Sequence, residues 1–281
     1  MRQLWRRKLT NAVMVGSCGA AVLVACLPLL SLAWGVIARG AAGLSWDFFT
    51  SSPAPVGEPG GGIGNALVGT MELVALSCVL AFPFGIGAGV FLAEGTETKL
   101  ASVVRFTAEV LSGVPSIVVG IVAYGLVVMP MKRFSALAGA VALAILMIPT
   151  LARTTEELVR RVPPALREAS LALGVPRWKT SLRIVLRTAL SGIATGALLA
   201  IARAAGETAP LLFTALNNQY WSFRPDQPIG SLTVQIFNYA ISPYEEWRAK
   251  AWSAALVLLM FVAGLNLLAR TLTRNRMGVA R

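Results

Sequence analysis

The chain has 281 residues, of which 56% are hydrophobic and 14% charged, and its mean hydropathy is +0.69. A soluble domain carries about 25% charged residues, so this composition excludes an ordinary soluble fold and points to a membrane. The excess of base over acid, 25 against 13, would suit nucleic acid only if it formed a patch; it follows the segments between apolar runs instead, and no nucleic-acid partner is expected.

Six apolar stretches reach the about 20 residues that a helical crossing needs: 10–38, 63–93, 106–130, 134–152, 184–214 and 251–272. They predict an all-α polytopic membrane protein of six spans, with residues 1–281 forming one transmembrane domain. The first stretch follows the basic cluster Arg2, Arg6, Arg7 and Lys8. A secretory signal opens the same way, but the apolar run to Ile37 exceeds an h-region of about 7–15 residues, so it reads as a retained span. In the loop 40–62, Gly60-Gly61-Gly62 reads as a flexible outer turn, because no strand precedes it to make an anion cradle. The second span carries Glu72, whose role stays open, and Gly85 with Gly89, spaced for close helix packing; Gly192 and Gly196 repeat the spacing in the fifth. Cys18, Cys26 and Cys78 lie in spans without metal-ligand spacing and read as packing residues.

Arg105 and Glu109 stand four apart near the inner end of the third span. They read either as an ion pair at the membrane interface or as a secondary gate offering Arg203 another partner. The fourth span leads into the longest polar loop, 153–183, whose centre is VPPALREASLALGVPRWKTSLRIVLR. Pro164 suits a first helical turn, where its missing N–H has no intrahelical partner, and Gly174 followed by Pro176 is a stop signal. A helix over 164–173 results. Leu166, Ala169, Ser170 and Leu173 fall along one side of it, flanked by Arg167 and Glu168, as a stripe able to seat in a shallow groove or to lie on the membrane surface.

The fifth span contains RAAGETAPL, with Arg203 and Glu207 one turn apart. Each charge costs about 2.5–3.5 kcal/mol at a helix centre, so such residues normally face a bundle interior or wet cavity and mark a transport path. An anion route is expected here; the alternative is an internal salt bridge, with Arg and Glu in the less favoured helical order. Gly206 adds backbone freedom and Pro210 cannot donate to the Gly206 carbonyl, so the helix is weakened beside the pair and a hinge is expected there. Beyond it, NNQYWSFRPDQP and IGSLTVQIFNYA occupy part of 215–250, where a short amphipathic helix along the outer membrane face is expected. With 40–62 this region offers a surface to a separate solute-binding protein, neither loop being long enough for a binding domain. Trp34, Trp46, Trp221, Trp247 and Trp252 fall at or beyond the outer face, as interfacial rings do.

Placing both termini inside assigns eighteen of the 25 basic residues to the cytoplasm: the N-terminal four, Lys99, Arg105, the eight from Arg153 to Arg187, and Arg270, Arg274, Arg276 and Arg281. The positive-inside rule selects this orientation, with Lys132 and Arg133 dissenting in a very short outer loop. The sequence contains no histidine, which removes Ser-His triads, zinc sites of the H-E-x-x-H type and histidine proton relays. None of its five lysines follows glycine, so it lacks a G-x-x-x-x-G-K-[ST] phosphate loop. Any ATP used must be bound by another polypeptide.

The spacing of Glu168, Ala169, Ser170, Gly174, Ile184 and Leu186 resembles the EAA loop of binding-protein-dependent ABC importers, with Ser170 where a second alanine is usual and Arg187 where proline is common. NALVGT at 65–70, PFGIGAGVFLAEG at 83–95, LSGVPSIVVGI at 111–121, REASLALG at 167–174 and above all ARAAGETAPLL at 202–212 are similar to PstA-type phosphate permeases, with a type I, MetI-like transmembrane domain. The resemblance implies a cytoplasmic coupling helix, with Arg167, Glu168, Ala169, Ser170, Leu173 and Gly174 meeting an ATPase groove. It implies a PstC-like second permease, a PstB-like ATPase dimer holding ATP and magnesium, a PstS-like external phosphate-binding protein, and surrounding lipid. No catalysis, cofactor or metal is expected in this chain itself. Arg203, Glu207 and Thr208 would contact the translocated phosphate, with Gly206 and Pro210 as hinge. A permease for phosphonate or sulfate, or a phosphate-sensing scaffold without transport, are the other readings; uptake competition and a dispensable Arg203 would mark them.

Overall fold

The computed structural model describes residues 2–58, 60–95 and 98–277, without the side chains of Arg2 and of residues 272–277. Arg281 and the side chains of Arg2, Arg274 and Arg276 therefore lie outside the described residues. Those described are helical with connecting turns and contain no strand. Helix α1 spans Arg2–Gly40, the short α2 Trp46–Thr50, and α3 Gly64–Glu94. Then come α4, Lys99–Gly113, and α5, Ser116–Met131, followed by α6 over Ala136–Arg160 and α7 over Pro164–Ala172. Helix α8 covers Arg177–Ala205, α9 Ala209–Leu212, α10 Leu232–Ala240 and α11 Glu245–Met277.

Among the described residues, five helices are individually long and apolar enough to cross a membrane, and the bent pair α4–α5 supplies a sixth crossing if it counts as one span. The expected third span, 106–130, is therefore not straight: its two halves meet at 107°. Pro115 forces the break. The residue before a proline is driven out of the α region, and Val114 is extended at φ −71°, ψ 132°.

The centre of the bundle is the pair α3 and α6, which run parallel. Gly139 receives Leu73, Ser77 donates to the Met147 sulfur, Gly85 lies against Leu151 and Gly89 against Thr155. A methyl on Gly85 would come within 2.7 Å of Leu151 Cβ, so the small-residue spacing serves close packing. Gly192 and Gly196 do the same for α8, resting on Leu158 and Thr154 of α6. By contrast α1 is exposed along most of its length and docks on α11 at its far end, where Val36 is buried and Gly40 meets Trp252 and Leu256. Cys18 and Cys26 stand on its open surface, and Cys78 is partly buried; all three are free thiols.

The glycine turn is tied to α11: Gly60 and Gly61 take φ of +89° and +77°, and Lys250 Nζ donates to the Gly60 carbonyl at 2.5 Å. The segment after α9 differs from expectation. Helix α10 packs inward, with Leu232, Thr233, Val234, Gln235 and Tyr239 buried, instead of lying along the surface. Gly69 lets Gly230 approach α3, and Leu232 N–H donates to Thr70 Oγ1 at 2.9 Å, so hydrogen bonding to α3 draws this end in. The dissenting Arg133 is neutralised by Asp226 at 3.2 Å. Hydrogen bonds from Arg224 and the attraction of both guanidinium groups hold the Asp226 carboxyl below the usual carboxylate range.

Candidate functional site

Helix α8 ends at Gly206, where tight bonds from Gly206 N–H to Arg203 O (3.0 Å) and from Glu207 N–H to Ala204 O (3.2 Å) close its last turn. The Thr208 carbonyl then starts α9 by accepting from Leu211 and Leu212. The expected fifth span, 184–214, is thus an earlier and shorter helix followed by a break at 206–208. Pro210 is the second residue of α9, beyond the break, and packs on α5: a methyl on Gly120 would lie 2.7 Å from Pro210 Cα. Gly206 has an ordinary φ of −92° and room for a methyl, whose nearest neighbour would be Arg203 O at 3.5 Å. This conformation therefore does not itself require glycine at 206.

Arg203 and Glu207 meet, but loosely: Nε to Oε1 is 3.8 Å, longer than a hydrogen bond. Glu207 is the inner partner, its side chain 18% exposed, while that of Arg203 is 64% exposed. The Glu207 backbone is fastened by Thr233 of α10, whose hydroxyl donates to its carbonyl at 2.9 Å. Leu146, Met147 and Thr150 of α6 line the same crevice, placing the pair near the middle of that helix. An anion approaching from the open side meets the guanidinium first and a carboxylate behind it. Thr208 is partly buried at the break and makes no capping bond with its side chain.

Arg105 and Glu109 do not pair with each other, nor does either reach Arg203. Arg105 binds Glu156 of α6 at 2.7 Å, and Glu109 binds Arg153 at 3.2 Å. The bend at Val114 swings α4 against α6, whose opposite charges compete successfully for both residues. Glu156 also holds Arg160 at 2.7 Å, and sequence reasoning passed over it. Its signal was a Glu four residues before an Arg in a run leaving the membrane; the partner fifty-one residues away left no local trace. Glu72, half-buried on α3, has no ion pair or hydrogen bond among the described residues.

The expected helix 164–173 is present as α7. It ends in a glycine turn in which Val175 N–H bonds to Ser170 O (3.2 Å) and Gly174 N–H to Leu171 O (2.9 Å), with Gly174 at φ +78°. This is the two-bond closure that favours glycine just past a helix end. The stripe, however, is split. Ser170 is buried and shares a 2.9 Å hydrogen bond with Thr180, and Arg167 reaches back to Glu94 at 3.2 Å and to the Val159 carbonyl at 3.0 Å. Both are tied to their own chain by these contacts. The open surface belongs to Leu166, Glu168, Ala169, Leu171, Leu173 and Gly174, with Leu173 83% exposed.

Residues 85–276 match the family described as binding-protein-dependent transport system inner membrane component. The phosphate transport system permease protein PstA of Yersinia pestis is 44% identical over 96% of this chain and 92% of its own length. Its namesake in Haemophilus influenzae is 41% identical over 98% of both. In fold alone, a chain of the MetNI methionine ABC transporter, solved in an inward-facing conformation, aligns over 75% of this chain and 95% of its own with a TM-score of 0.63 at 19% identity. The arginine at the end of α8 and the glycine-terminated α7 thus sit in a chain that belongs to the binding-protein-dependent transport system inner membrane components, and among them to the PstA group of permeases.

Proposed function

We propose that this chain is a membrane-spanning permease subunit of an ATP-driven inorganic phosphate importer, seated in a bacterial cytoplasmic membrane with both termini and α7 on the cytoplasmic side. One observation carries the reading: the open guanidinium of Arg203 stands beside Glu207 against the middle of α6 in a chain whose relatives are phosphate permeases over nearly their full length. Arg203 offers two parallel charge-assisted bonds to a phosphate oxygen pair. Phosphate near neutral pH keeps at least one P–OH, which donates to Glu207. Sulfate has no such proton and would leave the carboxylate repelling it, a selectivity built on an unfavourable wrong partner. Thr208 supplies a hydroxyl beside them.

ATP and magnesium belong to an ATPase dimer, a second permease completes the pathway, and an external binding protein delivers phosphate to the outer loops. The exposed part of α7, centred on Glu168 and Leu173, seats in the ATPase, while Arg167 and Ser170 tie the helix to its own chain. Motion of α7 reaches α3 through the Arg167–Glu94 pair and α6 through the Val159 carbonyl, Glu156 links α6 to α4, and Gly120 of α5 presses on Pro210 just beyond the break. The test is phosphate uptake by the whole complex in vesicles. Arg203→Ala should abolish uptake while all subunits still co-purify; uptake at the wild-type rate would overturn the proposal.

A further inference from the structure

Residues 177–187, RWKTSLRIVLR, hold four bases and no acid. Among the described residues, no carboxylate pairs with Arg177, Lys179, Arg183 or Arg187. Arg183 and Arg187, one turn apart and exposed, line an open groove of about 460 Å³ together with Leu182, Leu186 and Leu190. The sequence departs from the EAA pattern at this place, with Arg187 where proline is common.

Depth follows from the neighbours. Gly192 rests on Leu158, and Val185 shares a buried cluster with Val162, past the end of α6 at Arg160. Arg183 and Arg187 therefore stand level with the charged end of α6, where Arg153, Glu156 and Arg160 follow the apolar run 134–152. Trp178, 60% exposed with Lys179 Nζ 5.3 Å from its ring centre, marks the same interface. Direction follows from the helix: Arg187 and Arg203 are sixteen residues apart, about 160° around an ideal α-helix. The groove thus faces away from the proposed anion route.

We propose that this groove is a binding site for an acidic glycerophospholipid of the leaflet on the α7 side, the cytoplasmic leaflet in the orientation proposed above, on which the naming of the leaflet rests. Arg183 and Arg187 hold the headgroup phosphate by charge-assisted bonds, and an acyl chain lies along Leu186 and Leu190, on the membrane side of Arg183. A basic cluster at the cytoplasmic end of a membrane helix attracts acidic lipid, and the leucines decide between phosphate sources: a free ion would leave them bare, whereas a lipid covers them. The site bears on coupling because the Ser170–Thr180 hydroxyl bond joins α7 to the segment that the lipid would hold.

The assembled complex, reconstituted in discs of mixed phosphatidylglycerol and phosphatidylcholine and analysed by native mass spectrometry, tests this. The wild type should retain phosphatidylglycerol selectively, and millimolar inorganic phosphate should not displace it. Arg183→Gln with Arg187→Gln should bind it about thirtyfold more weakly, from about 1 kcal/mol per arginine near the surface, with all subunits present. Leu186→Gln should weaken retention without changing charge. Equal retention of both lipids, displacement by inorganic phosphate, or loss of the ATPase with lipid retained would each overturn the site, the last assigning this face to the ATPase. Arg203→Ala should leave lipid retention intact, so failure of the transport reading and failure of the lipid site are separable.

Discussion

The guanidinium of Arg105 donates twice to one oxygen of Glu156, at 2.7 and 3.1 Å, joining α4 to α6 across fifty-one positions of sequence. Arg160 takes the same oxygen at 2.7 Å and extends towards the Leu92 carbonyl at 3.4 Å. The Glu156 side chain is only 9% exposed, whereas Arg153 and Glu109 in the neighbouring pair are both 48% exposed. Burial separates the two pairs energetically. Glu156→Ala is expected to lower stability by about 1.5–3 kcal/mol, the range for hydrogen bonds to charged groups, and Glu109→Ala by about 0–1 kcal/mol. Thermal unfolding of the purified complex compares them, and equal shifts would show that Glu156 is no anchor.

Gly206 and Gly120 flank the break from different helices and should respond oppositely. Gly206→Ala adds a methyl into free space at an allowed φ, so stability should hold or rise by about 0.4–1 kcal/mol through the unfolded state. If 206 flexes during transport, uptake nevertheless falls. Gly120→Ala drives a methyl against Pro210 and should cost about 1–3 kcal/mol, as overpacking does. Paired melting and uptake measurements decide; a Gly206→Ala protein with full uptake is not hinged there.

Gly174 offers a steric ruler for the partner. No atom would lie within 4 Å of a methyl there, so the cost of Gly174→Ala is the left-handed backbone alone, about 1–2 kcal/mol. The Cβ of Gly174→Trp finds the same open space. In the isolated subunit the two variants should melt together, and in the complex Trp should additionally expel the ATPase or uncouple hydrolysis from uptake. Normal recovery and uptake for Gly174→Trp would remove this turn from the coupling surface.

Arg203→Lys keeps charge but loses the paired hydrogen bonds, and little uptake should remain. Glu207→Gln keeps an acceptor oxygen and removes the repulsive charge, so sulfate should enter more readily relative to phosphate. Because the pair is already 3.8 Å apart, little stability should be lost. An unchanged phosphate-to-sulfate ratio with a destabilised complex would instead make Glu207 a strut for Arg203.

The sequence by itself determined what depends on composition and on neighbours within a turn or two. Apolar length marked the crossings, Pro164 and Gly174 bounded α7, and Arg203 with Glu207 declared themselves by the cost of charge in an apolar run. Where one proline redirects the chain, as at Pro115, the signal was also local, yet its 107° consequence was not. Only the tertiary structure decided which charges meet: Arg105 and Glu109 stand at ion-pairing distance along the chain, yet each takes a partner on α6, because the bend lays α4 against that helix. It likewise turned Ser170 inward from a stripe that looked uniform, drew the flanking Arg167 back to Glu94, and buried α10 by hydrogen bonding it to Thr70 and Glu207. Helical periodicity states which residues share a face, but what that face touches is set by packing and hydrogen bonds between segments far apart in sequence.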